Sequence, residues 1–376
     1  MKKYILLLLT ALVTLTACEN KVKSVTLLSD EISLKVGDVY QLAAYTTPLD
    51  ADYDMTWSSS NSAVASVSES GLVVGISVGQ CEITVEAGGK SALCSVSVTE
   101  GEVDIDSDVN ITSYGAVNSW FSVGDFTVVQ FSRGNLQYQP SSGTWRFADY
   151  QYASLGAENR NIAQSSDSWI DLFGWGTSGW NSGANAYFPW SNDQSDANYL
   201  VGGNASFGLS GDMSNADWGK FNPIQNGGNV AGLWRTLTKD EWIFLFDTNY
   251  LRKDKWALAT INGFYKGVIL LPDNWVRPDG IDYSHGAPLG YNTNKYTNQQ
   301  WLKLQSSGAV FLPMSGLRDG SDVSAVNSDG YYWSSTPDGA DAAHALWILA
   351  GTISPSASRN RHYGLSVRLV LEHQTD

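Results

Sequence analysis

Cysteine is almost missing from these 376 residues: three occur, and none lies beyond Cys94. The larger C-terminal part therefore offers no thiolate to a metal and no partner for a disulfide. Histidine is scarce as well. His285, His344, His362 and His373 are dispersed, with no H-x-x-x-E-H grouping. No Gly-x-Ser-x-Gly elbow marks a nucleophile. Positive charge is in short supply, with 23 Lys and Arg against 38 Asp and Glu and a net charge of −15. That balance excludes nucleic acid as a partner, because binding a phosphate backbone takes a basic face that displaces counterions. No catalytic residue, metal or obligatory cofactor emerges, so an enzyme is not the expectation.

What is present begins with the N-terminus. Lys2 and Lys3 form a basic start, Tyr4 to Val13 form a short apolar run, and Leu15-Thr16-Ala17-Cys18 follows. The run is too short to span a bilayer, and the pattern is that of a bacterial lipoprotein signal peptide at 1–17. Cys18 would then be the acylated first residue of a tether at 18–22, holding the protein to the outer membrane and facing outward. Losing Lys2 and Lys3 with the leader moves the net charge to −17. Such acidity suits an extracellular, soluble surface.

Residues 23–99 hold short β-rich runs at regular spacing with no helical period, the pattern of a small all-β sandwich. Cys81 and Cys94 flank an alternating run, a Gly-Gly turn and a second run. With a four-residue loop placing Val85 opposite Lys90, Cys81 falls opposite Cys94, and a cross-strand disulfide is expected. Trp57 reads as the core aromatic. The strand pair SLKVGDVYQLAA, the run from TWSSSNSAV to CEITV and the closing ALCSVSV resemble the group 2 bacterial Ig-like domain, which implies a spacer or adhesive module.

Five acidic residues in EGEVDIDSDVN mark 100–110 as an extended linker. Beyond it, 111–376 carries fourteen of the fifteen tryptophans and all four histidines. Its Gly-, Asn-, Ser- and Trp-rich middle predicts long irregular segments pinned by buried aromatics. Thr238-Lys239-Asp240-Glu241 is a capping box opening a helix with Trp242, Leu245 and Phe246 on one face. Strand-like runs follow at 265–271, 309–314, 331–335, 345–349 and 365–370. The expected unit is α+β and loop-rich, with an antiparallel sheet near its end.

The succession WRTLTKDEWIFLF, GAVFLPMSGLRDG, GYYWSST and GLSVRLV resembles the C-type lectin-like domains related to formylglycine-generating enzymes. Those enzymes bind copper through a cysteine pair that this unit lacks. EPN and QPD, the sugar-binding tripeptides of C-type lectins, are absent too. Asn192, Asp193 and Asp196 are left as candidates for an oxygen-ligand Ca²⁺ site, against a solvated turn. The ending also resembles the variable proteins diversified by retroelements. That resemblance implies a fixed frame, Tyr331–Ser335 and Gly364–Arg368, around an exposed ligand-binding set: Asp338, Ala340, Asp341, Ala345, Trp347, Leu349, Ala350, Thr352, Ser356, Ser358 and His362. Alternation in the run 345–349 supports it independently, since Leu346 and Ile348 take the core phase and Trp347 and Leu349 the other. The function expected is that of a surface lipoprotein docking a protein or glycan. A pilus or matrix component, or a formylglycine-type enzyme with altered chemistry, are the alternatives.

Overall fold

Alternation decides the N-terminal unit. Along Glu31–Lys35 the side chains run exposed, buried, exposed, buried, exposed, so Ile32 and Leu34 face inward. The computed structural model describes residues 21–48, 53–99, 110–247, 252–286 and 290–372. The leader, Cys18, most of the acidic linker and His373 lie outside the described residues. The chain divides into two compact units, Met1–Gly101 and Glu102–Asp376.

In the first unit, Glu31–Lys35, Lys90–Thr99, Gly79–Ala87 and Thr56–Ser59 form one sheet in that order, with the first pair parallel. A three-stranded sheet, Val39–Gln41, Leu72–Gly75 and Ala65–Val67, supplies further strands. Leu34, Leu42, Val73, Ile83, Val96 and Val98 fill the space between, and the half-buried Trp57 packs against them.

The expected disulfide is not formed. Gly88 and Gly89, at φ +55° and +72°, make a two-residue turn of the kind that closes a tight hairpin. Lys90 therefore pairs with Ala87, not Val85. That slips the register by two residues, so Cys81 faces Val96 and Cys94 faces Ile83. The two cysteines are diagonal neighbours on one buried face, and both are free thiols. A diagonal pair sits roughly 7–8 Å apart, beyond what a disulfide spans. Burial pushes both thiols up from their ordinary pKa.

The second unit is strand-rich, and its two ends pair. Val128–Phe131, near its start, lies beside Leu369–Glu372, near its end, with Phe121–Ser122 and Trp234–Thr236 completing a four-stranded antiparallel sheet. A second four-stranded sheet runs Asn294–Tyr296, Trp256–Ile261, Tyr265–Leu270, Val310–Pro313. A third is a meander of Gly330–Asp338, Ala342–Leu349 and Thr352–Asn360. The expected capping box is present: Thr238 accepts from the Glu241 amide while the Glu241 carboxylate accepts from the Thr238 amide. A second box, Thr297 with Gln300, opens a further helix at Asn298–Ser306. The segment around 170–193 has no regular structure and is held by buried Phe173 and Trp175. No helix among the described residues is long and apolar enough to cross a membrane.

The meander lies between two cores. Tyr332, Leu346 and Ile348 join Trp242, Leu270 and Leu312 on one side. Tyr331, Trp333, Ala343 and Ala345 join Trp175, Trp218 and Trp234 on the other. Helix Lys239–Leu245 is docked on the first side, where the Trp242 indole donates to the Trp333 carbonyl at 3.3 Å.

Candidate functional site

Register assigns each residue of the meander to a face. Trp347 pairs with Tyr331 on one neighbour and with Ser354 on the other, so these three share a face with Leu349 and its partner Thr352. Near the end of the sheet that carries them, this face is no longer fully covered: Trp347 and Leu349 are half-buried and Thr352 is exposed. The two rings lie parallel, 6.3 Å between centroids with 4° between planes. Both are fixed by one carboxylate. Asp329 Oδ2 accepts from the Tyr331 hydroxyl at 3.0 Å and from the Trp347 indole N–H at 3.1 Å. Burial, with Asp329 beside it, pushes the Tyr331 phenol up to about 12, so it stays a donor at neutral pH.

Arg359 completes the site. Its guanidinium lies 4.6 Å from the Trp347 ring centre and 5.2 Å from that of Tyr331, within cation–π range of both. It donates to the Ser358 carbonyl at 2.7 Å. Among the described residues no carboxylate comes within 4.0 Å of it. The arrangement is a half-buried tryptophan backed by a buried tyrosine and capped by a cation with donors to spare. It can stack on a flat group and donate to an acceptor at the same time. Sequence reasoning passed over Arg359 and Asp329. The available signal was that no lysine and only three arginines, at 359, 361 and 368, occur between 330 and 370. Arg361 and Arg368 are fully buried.

The eleven expected ligand residues do not form one surface. Ala345 is fully buried, because its face is covered by the tryptophan-rich core along the middle of the sheet. Asp338 ends the first strand opposite Ala342, with Ala340 and Asp341 in the turn that follows, at one end of the central strand, and Ala350 lies in the turn at the other. Eight strand residues separate these turns, roughly 25 Å. Ser358 pairs with His344, which places it on the opposite face from Trp347. Ser356 is half-buried and its carbonyl meets His344 Nδ1.

His362 is no surface contact either. It is 8% exposed, with Nδ1 2.7 Å from Asp196 Oδ1 and Nε2 3.4 Å from Asp319 Oδ1. Asp196 also accepts from the His362 amide and from Asn360, so its carboxylate fastens the end of the sheet's last strand to the short 3-10 helix Asp196–Tyr199. Arg361 does the same for the turn. It donates to the carbonyls of Ala342, Gly339 and Ala205 and stacks 4.4 Å over Trp175.

The acidic residues of the calcium candidate have separate partners. Asp193 accepts from the Ser195 amide and the Asn198 side chain, whereas Asp196 turns to His362 and Asn360. The two carboxylates serve different contacts, and no cluster of three His, Cys, Asp or Glu able to hold a metal occurs among the described residues. What the structure brings together on one accessible face is therefore Trp347, Leu349, Thr352, Ser354 and Arg359, with Tyr331 buried behind Trp347.

Comparison with known proteins bears on the first unit. Residues 21–96 match the bacterial Ig-like domain (group 2) and form such a domain. A 70-residue segment is 43% identical to a lacto-N-biosidase of Bifidobacterium bifidum, over 18% of this chain and 6% of that protein. Among solved structures, domains 4 and 5 of the S-layer protein SbsC align at 20% identity over 21% of this chain and 52% of theirs, with a TM-score of 0.19. A termite-gut GH10 xylanase containing a bacterial Ig-like domain aligns at 26% identity over 20% of each chain, with a TM-score of 0.16. The chain thus spans only a small part of the curated relative it matches.

Proposed function

We propose that this chain is a lipid-anchored surface protein of the bacterial outer membrane. In this reading Cys18 carries the anchor, the Ig-like domain acts as a spacer, and residues 111–376 adopt a C-type lectin-like arrangement that docks a protein or glycan. The observation that carries the reading is the Trp347 site. A half-open tryptophan, backed by the buried Tyr331 and fixed with it by Asp329, lies beneath an arginine without a carboxylate partner among the described residues. A rigid aromatic pair with an available guanidinium is the composition of an interface hot spot, not of a solvated strand. Leu349, Thr352 and Ser354 stand around it on the paired strands, Thr352 exposed and the other two half-buried, so that rim can change at less cost than the buried core. This is the physical basis for a variable ligand surface.

The test is a screen of the full chain against arrayed cell-surface proteins and glycans, repeated with Trp347→Ala. Truncating a central tryptophan typically costs about 2 kcal/mol or more, which is roughly 30-fold in affinity. Loss of that size with the fold intact supports the reading, and equal binding by the variant refutes it. Fractionation tests the anchor, because Cys18→Ala should release the protein from membranes.

A further inference from the structure

Away from Trp347, the irregular segment 162–193 encloses a cleft of about 420 Å³ lined by Ile162, Gln164, Asn185, Phe188, Trp190 and Asn192. We propose that this cleft binds a neutral sugar ring. Its volume falls within the 300–1,000 Å³ typical of small-ligand sites.

The floor is aromatic and fixed. Phe188 is 37% exposed and stacks on Trp190 at 4.8 Å and 24°, and Trp190 stacks in turn on Tyr138 at 6.1 Å and 17°. Beneath this row the fully buried Arg318 donates to the Ser191 carbonyl at 3.0 Å. The Tyr199 hydroxyl donates to the Asp193 carbonyl at 2.8 Å. The Phe188–Asp193 wall is thus tied to the core at two points, and a site held in place before its ligand arrives loses less entropy on binding.

The rim is amide. Gln164, Asn185 and Asn192 are exposed, and each amide offers both a donor and an acceptor, as hydroxyl groups require. Asn185 uses one of its donors on Asn198. No lysine, arginine or histidine lines the cleft. Its one charged group, Asp193, already accepts from the Ser195 amide at 2.7 Å and from Asn198 at 2.8 Å. An anionic ligand finds no counter-charge there, and a wholly apolar one leaves three amides unmatched. A ring with one C–H face for the aromatics and hydroxyls at its edge satisfies both parts, with no metal ion.

The full chain is to be titrated with neutral trisaccharides of glucose, galactose and N-acetylglucosamine, followed by saturation-transfer NMR and tryptophan fluorescence. At least one should bind with Kd of about 1 mM or tighter. Phe188→Ala, at an exposed position, should weaken it at least roughly tenfold, the loss of about 1.4 kcal/mol, and Gln164→Ala should weaken it too. Trp347→Ala should leave it unchanged, which separates this site from the one proposed above. EDTA should have no effect. The proposal is overturned if none of the three binds, if Phe188→Ala binds as tightly as the parent, if binding needs calcium, or if a sialylated sugar is preferred to its neutral parent.

Discussion

The guanidinium of Arg359 stands 4.6 Å above the centre of the Trp347 ring, and the same indole donates its N–H to Asp329. A cation on the face and an anion at the edge hold the ring in one orientation. Stability measurements can separate these contributions. Trp347→Phe keeps a ring on the sheet but removes the hydrogen bond, and should cost about 1 kcal/mol. Trp347→Ala also loses the stacking and cation–π contacts, each about 0.5–1.5 kcal/mol, so a total of about 2–4 kcal/mol is expected. Arg359→Ala should cost about 1 kcal/mol or less, as a half-exposed cation–π contact does. Urea unfolding of the three variants checks the order.

Arg361 should behave quite differently from Arg359, although two positions separate them. Its buried guanidinium satisfies three carbonyls from the 339–342 turn and the loop at Ala205. Removing it leaves these acceptors without a donor, at about 1–3 kcal/mol for each one left buried. Arg361→Lys cannot rebuild the fork and should recover little. Burial lowers the Arg361 pKa only to about 10, so the group remains charged at neutral pH. A melting temperature for Arg361→Lys close to the parent's would contradict the clamp.

Two fully buried carboxylates set a pH dependence. Burial raises Asp171 and Asp217 to about 6, against hydrogen bonds from Leu155 and Asn159 to the first and from Gly219 and Thr236 to the second. A folded-state pKa above the unfolded value of 3.8 means that the native state holds protons the unfolded chain has released. Their contribution therefore favours the fold at low pH and declines as pH rises from about 4 to about 6. Each group contributes at most about 1.4 kcal/mol per pH unit across that window. Asp171→Asn should flatten the slope, and unfolding free energies measured between pH 4 and 7 for both chains decide it.

Cys81 and Cys94 should both be thiols, unreactive in the native state because Cys94 is fully buried and Cys81 8% exposed. Maleimide labelling should find neither before unfolding and both in denaturant without reductant. A Cys81–Cys94 bridge would protect both throughout and restore the register that sequence reasoning expected.

That register shows where the sequence stops being legible. Alternation along 79–87 and 90–99 reveals two strands and their buried faces, but not whether two or four residues close the hairpin. Only the positive φ of Gly88 and Gly89 settles the turn. The Thr238 box was visible as a helix start, and Thr297-x-x-Gln300 carries the same signature at a helix that went unnoticed. In the meander, period-2 spacing correctly put Leu346 and Ile348 in the core. It put Ala345 in the same phase as Trp347, but phase reports the face a residue takes, not what covers that face. Here Trp175, Trp218 and Trp234, all distant in sequence, belong to the core that buries one and leaves the other half-open.

Face specificity tests the central claim most directly. Ser354 lies beside Trp347 on its face, and Ser358 is exposed on the opposite face of the same strand. Ser354→Tyr adds a bulky ring beside Trp347, and Ser358→Tyr adds one at an exposed position. For any array partner of the full chain, the account predicts that Ser354→Tyr abolishes binding and Ser358→Tyr leaves Kd and melting temperature unchanged. Binding that survives Ser354→Tyr but fails with Ser358→Tyr would place the ligand on the other face and contradict the account.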